Sequence, residues 1–122
     1  MTWHKVKLDK ADTTFSKFIR GRDKRCVRCK SDKNLQCSHF WGRGKERTRY
    51  DEENCDCLCA GCHRRWETEK EMRNGSMGEY AWFKFEQLGK ERYDALKVRA
   101  HTYQKKDRKM SLIKSKALLN SL

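Results

Sequence analysis

Four cysteines, two histidines and one asparagine carry most of the chemistry legible in this chain. Cys26-Val-Arg-Cys29 and Cys59-Ala-Gly-Cys62 are two Cys-x2-Cys pairs separated by 29 residues. Each such turn brings two sulfurs to one side, and two turns complete a tetrahedron around zinc. A structural Zn²⁺ on Cys26, Cys29, Cys59 and Cys62 is therefore expected, and the long separation requires the intervening segment to hold a substructure of its own. A redox Cys-x2-Cys or a pair of disulfides explains the doubled motif less well. Cys37, Cys55 and Cys57 are read as small buried hydrophobes, although spacing alone leaves Cys57 as an alternative to Cys59. Between and beside the pairs lie His39, Asn54 and His63. A neutral imidazole near pH 7 takes a proton from water, and a second imidazole holds a divalent cation against a phosphate oxygen. An asparagine amide can tether loop backbone and so aim the base.

These side chains need elements to position them, and the composition makes that a problem. Leu, Ile, Val and Phe supply only 19 of 122 residues, and the net charge is +13. Such a balance ordinarily signals disorder. Seven cysteines and four tryptophans argue for a fold instead, with metal as the staple of a core short of aliphatics. Asp12 or Thr13 could cap a helix to about residue 22, with Phe15, Phe18 and Ile19 on one stripe. Strands are expected at 35–40 and 54–58, the second with Cys55 and Cys57 on one face. A loop rich in Gly and Arg joins them, and a helix follows over 64–72. Asn74-Gly75 breaks that helix, and Ser76 to Glu79 forms a capping box for the next, over 77–88. A further helix from Lys90 places Tyr93, Leu96, Ala100 and Tyr103 on one face, either an internal core or the face of a homodimer. The tail from Gln104 reads as helical around 112–119 or as a disordered basic arm. The expected result is a small α+β fold. It comprises a basic arm and helix (1–25), a zinc-bound core (26–73), a helical extension (74–103) and a basic tail (104–122). Tied by one zinc, the strand, loop, strand and helix would bring His39 and His63 face to face.

The frame His39…Asn54…His63, with Asn54-x4-Cys59-x2-Cys62-His63 as its closing motif, resembles the HNH, or ββα-metal, nuclease family. Three further segments look like the NinG (Rap) family of phage recombination proteins: Phe15-Ser-Lys-Phe-Ile-Arg20-Gly-Arg22-Asp23, Ser38-His39-Phe40 with Arg43-Gly44, and Arg49-Tyr-Asp51-Glu-Glu-Asn54. The likeness covers roughly residues 8–103. It implies a zinc-stapled HNH core acting as a metal-dependent DNA endonuclease, with His39 as general base and Asn54 positioning it. His63 would be a ligand of a catalytic Mg²⁺ or Mn²⁺. Many relatives carry Asp or His where this chain has Ser38, so Ser38, a water, a phosphate oxygen or Asp51 would complete the metal shell. Asp51 is equally suited to be a cap or a partner for Arg49. The likeness also implies a phage-encoded protein in the cytoplasm of a bacterial host, acting on branched recombination or replication intermediates.

The charge supports a polyanionic partner. The net is +5 over residues 1–25, +3 over 26–66, zero over 67–103 and +5 over 104–122. No strongly apolar face accompanies the basic runs, which favours nucleic acid over an anionic membrane. Arg43, Lys45, Arg47 and Arg49 in the loop, with Arg64 and Arg65 beyond His63, are the expected phosphate contacts. Trp41 could stack on a base or pack against the hairpin. No run of about 18 apolar residues is present, so no membrane span is expected. Residues 1–10 lack the apolar stretch of a secretion signal, which fits reduced, metal-binding thiols. The alternative to a nuclease is a non-catalytic zinc-knuckle protein that binds DNA through its basic surface.

Overall fold

The computed structural model describes residues 7–122; the first six residues of the expected basic arm lie outside them. Helix α1 (Lys10–Asp23) starts where Asp9 accepts from Ala11 N at 2.8 Å and Asp12 N at 3.3 Å, while the Asp12 carboxylate accepts from Asp9 N at 2.9 Å. This reciprocal box sets the start one turn before the expected cap, because Asp12 is the third helical residue and not the cap. The stripe of Ala11, Phe15, Phe18 and Ile19 is buried.

Strands β1 (Leu35–His39) and β2 (Cys55–Cys59) form a two-stranded antiparallel sheet, pairing Cys37 with Cys57, Ser38 with Asp56, and His39 with Cys55. Strand alternation divides the hairpin into two faces. Cys37, Cys55 and Cys57 pack against α1 with Phe15, Phe18, Ile19 and Tyr50. On the other face Leu58 joins Phe40, Trp66 of α2 (Ala60–Glu67), and Tyr80, Leu88, Tyr93 and Leu96 of α3 (Glu79–Ala100).

Helix α2 begins four residues before the start expected from the sequence pattern, because Cys59 caps it and accepts from Cys62 N at 3.5 Å. Helix α3 is two helical runs joined across a kink at Gly89, whose φ of 79° suits glycine. The expected Ser76–Glu79 box does not form. Gly78 stands at the cap, where an added Cβ would lie 2.5 Å from the Glu69 backbone. The Tyr93, Leu96 and Ala100 face is spent inside the chain, whereas Tyr103, expected on the same face, is exposed.

The basic tail is a docked helix. α4 (Arg108–Asn120) lies along α1 with Leu112, Leu118 and Leu119 packed on the cluster there. Arg108 pairs with Glu46 and Asp9, and Lys114 Nζ donates to Tyr50 O at 2.8 Å. The chain is thus a small α+β protein with four helices and one two-stranded sheet among the described residues. None of those helices is long and apolar enough to cross a membrane.

Candidate metal centre and active-site groove

The sulfurs of Cys26, Cys29, Cys59 and Cys62 lie within 4.8 Å of one another. The first two sit on the turn after α1, and the last two on the junction of β2 and α2. The turn is held against the sheet by Val27 N donating to Cys57 O at 2.9 Å. Cys29 Sγ and Cys59 Sγ are 3.7 Å apart, close to the tetrahedral edge of about 3.8 Å that zinc–sulfur bonds of about 2.3 Å generate. N–H groups point at the sulfurs, from Cys29 to Cys26 and from Cys62 to Cys59, both at 3.5 Å, and from Arg28 Nη1 to Cys62 at 3.4 Å.

Burial pushes the Cys26 thiol up, but backbone N–H donors more than offset it and hold it down to about 6. Cys59 is also lowered, chiefly by its bond from Cys62 N. Cys62 moves the other way, up to about 12, by burial and by the neighbouring sulfurs. Four thiolates at this spacing repel one another, and a divalent cation neutralises that conflict. The cluster could hold a structural metal such as zinc, and it uses Cys59 and not Cys57, which faces α1.

A groove of about 540 Å³ opens along the free edge of β1, between α1 and α2, lined by His39, His63, Arg20, Arg43, Glu67 and Lys70 among others. His39 Nε2 is 2.9 Å from Arg49 O. A carbonyl can only accept, so this nitrogen carries the proton and Nδ1 keeps the lone pair. Burial, with Arg43 and Lys70 nearby, lowers the ring to about 4 despite the Arg49 carbonyl. His63 Nδ1 lies 2.7 Å from Gln36 Oε1, and its Nε2 lies 3.8 Å from Glu67 Oε2. Donation to Gln36 leaves Nε2 as the free ligand atom, and burial keeps this ring lowered as well.

The loop between the strands is fixed by Asn54, which is fully buried. Its Oδ1 accepts from Trp41 N at 2.8 Å, and its Nδ2 donates to Trp41 O at 2.8 Å and Thr48 O at 3.0 Å. Asn54 is thus placed to position the loop and does not line the groove. Trp41 itself packs edge-on against Phe40 and His101.

Three expected site residues lie elsewhere. Arg49 is 1% exposed. Its guanidinium pairs with Asp12, Nε donating at 2.8 Å, and also donates to Lys7 O at 2.8 Å. It cannot reach a phosphate; instead its carbonyl orients His39 while its side chain ties the loop to α1. Ser38 alternates away from His39 and is buried on the opposite face of the sheet beside Asp56, outside the groove. Asp51 caps the short 3₁₀ turn Glu52–Asn54 through Glu53 N at 3.0 Å and accepts from Arg99 Nε at 2.9 Å. Ser38 and Asp51 therefore do not fit a shared ion with His63. Glu67, which the sequence reading overlooked, does lie beside it, and its i, i+4 spacing from His63 was the available signal. Of the expected phosphate contacts, Arg47, Arg64 and Arg65 are exposed and Arg43 and Lys45 are half-buried. Searches of protein-family models, curated proteins and solved structures each return no match.

Proposed function

We propose that this protein is a metal-dependent DNA endonuclease with an HNH-type core, hydrolysing phosphodiester bonds in branched recombination or replication intermediates. The observation that carries the reading is the 2.9 Å contact of His39 Nε2 with the Arg49 carbonyl, which leaves the lone pair on Nδ1, in a residue that lines one groove with His63, Arg20, Arg43 and Lys70. In this reading His39 Nδ1 takes a proton from water, the water oxygen bonds to phosphorus, and the bond to the leaving sugar oxygen breaks. An anionic phosphate beside the ring raises its affinity for that proton. Arg43, Arg20 and Lys70 bind and orient the phosphate, and Asn54 and Arg49 position the base through the loop. His63 Nε2 and Glu67 would hold Mg²⁺ or Mn²⁺, which when bound stabilises negative charge on the leaving oxygen. The four cysteines and their zinc keep β2, α2 and the first turn in register.

The test is cleavage of a labelled four-way junction beside linear duplex of the same sequence, with Mg²⁺, Mn²⁺ or EDTA. Divalent-dependent cutting that falls by about 10²–10⁴ in His39→Ala, with binding retained, is the expected result. Tight binding by both proteins with no cutting in any metal would overturn the enzyme reading. The alternative would then stand: a DNA-binding zinc module acting through Arg43, Lys45, Arg47, Arg64 and Arg65.

A further inference from the structure

The α1 side of the hairpin carries a second cluster of ligand atoms, whose two sulfurs, those of Cys37 and Cys55, are used by neither the four-cysteine centre nor the hydrolytic reading. Cys37 and His39 lie two residues apart on β1, and Cys55 is the cross-strand partner of His39. The sulfurs of Cys37 and Cys55 and a ring nitrogen of His39 lie within 4.8 Å of one another. Cys55 is fully buried, while Cys37 and His39 line the groove, so the cluster has a protein-side floor and an open side. We propose that Cys37, His39 and Cys55 form a second site, for a thiophilic divalent cation such as zinc, with its fourth position open to the groove.

Three features favour this over cysteines that merely fill space. Two sulfurs and one imidazole are the donor set that zinc takes in open sites, with the fourth position left to water. Bonds of about 2.0–2.3 Å require ligand atoms roughly 3.3–3.8 Å apart, so the cluster closes on an ion by side-chain adjustments of about an ångström. The His39 ring is already oriented by an N–H donated to the Arg49 carbonyl at 2.9 Å, the arrangement that fixes metal-bound imidazoles in general. Soft sulfur donors also separate this site from the His63–Glu67 pair, whose imidazole and carboxylate suit harder ions. The same His39 lone pair is the base of the hydrolytic reading, so an ion here and that role exclude one another. The site itself is independent of that reading, because counting metal needs no DNA.

The experiment is metal counting on the full chain. Metal-free protein is loaded with Zn²⁺ or Cd²⁺ under reducing conditions, dialysed and quantified, and Co²⁺ loading is followed by its absorption bands. Two ions per wild-type chain are expected. In Cys37→Ser the count falls to one, the spectrum of the remaining Co²⁺ is that of four sulfurs, and the far-UV signal is unchanged. His39→Gln gives the same loss without touching a cysteine. Millimolar Mg²⁺ leaves the count at two. Saturation of wild type at one ion, or two ions retained by Cys37→Ser, would overturn the proposal. Because Cys37 and His39 both line the groove, their variants test it even where Cys55→Ser fails to fold.

Discussion

At one end of the hairpin, four sulfurs from two short turns converge within 4.8 Å, each pair set by its own Cys-x2-Cys spacing. Along the edge of β1, His39 and His63 reach a common groove, His63 from α2 directly after Cys62 and His39 from the other end of the strand, where distant parts of the chain hold its ring. Arg49, ten residues from His39, supplies the carbonyl for its ring, and Asp12 on α1 buries the Arg49 side chain. The first end is assembled from local turns whose four sulfurs could be stapled by a cation. The second is assembled from long-range polar contacts that must be satisfied inside the protein. A motif whose geometry is local survives being read from sequence; at the second site the meeting of His39 and His63 was legible from the hairpin, but the tertiary partners that hold the His39 ring were not.

Removing metal should give the largest effect and should break both ends, since the staple also anchors β2 and α2. Structural zinc sites contribute on the order of 10 kcal/mol to folding. A strong chelator or Cys59→Ser is therefore expected to abolish the cooperative thermal transition, as followed by circular dichroism. Cutting the long-range contacts should act more selectively. Asp12→Asn removes the carboxylate bonded to the buried Arg49 and leaves it only Asp9 at 3.7 Å and Glu46 at 4.0 Å, so the expected cost in urea unfolding is about 3 kcal/mol, the low end for a broken buried pair. Lys84→Ala should cost a similar amount on the opposite face. There Lys84 and Asp56 are both fully buried and 2.8 Å apart, with Tyr80 Oη also donating to Asp56 at 2.8 Å.

Acid should weaken the groove end through the same pair. Burial pushes the Asp12 carboxyl up, but bonds from Arg49 and the Asp9 backbone hold it below its ordinary value. A lowered folded-state value means stability present above the unfolded value of about 3.9 and lost as pH falls below it. The urea midpoint of wild type is expected to drop on going from pH 5 to pH 3 by more than that of Asp12→Asn. The smallest effect concerns DNA. Arg43→Ala should reduce the magnitude of the log–log salt slope of binding by about 1. Arg49→Lys should leave that slope unchanged once the protein is folded, because Arg49 does not face solvent. Equal changes in both variants would sink the division between surface and structural arginines.

Both short strands, the break at Gly89 and the grouping of Cys26, Cys29, Cys59 and Cys62 were legible in the sequence because each follows from local rules. Those rules are alternation, a residue suited to positive φ, and fixed spacing of ligands. The α1 stripe of Phe15, Phe18 and Ile19 was legible for the same reason. Helix starts were misplaced where an unexpected residue took the cap, as Asp9, Cys59 and Gly78 do. Only the tertiary structure decided that Arg49 turns inward, that Ser38 and Asp51 stay out of the groove, that Glu67 stands beside His63 and that the basic tail docks on α1. A charged side chain reads as solvent-facing until a buried partner is found for it, and Asp12, 37 residues away from Arg49 in sequence, carries no local sign of being that partner.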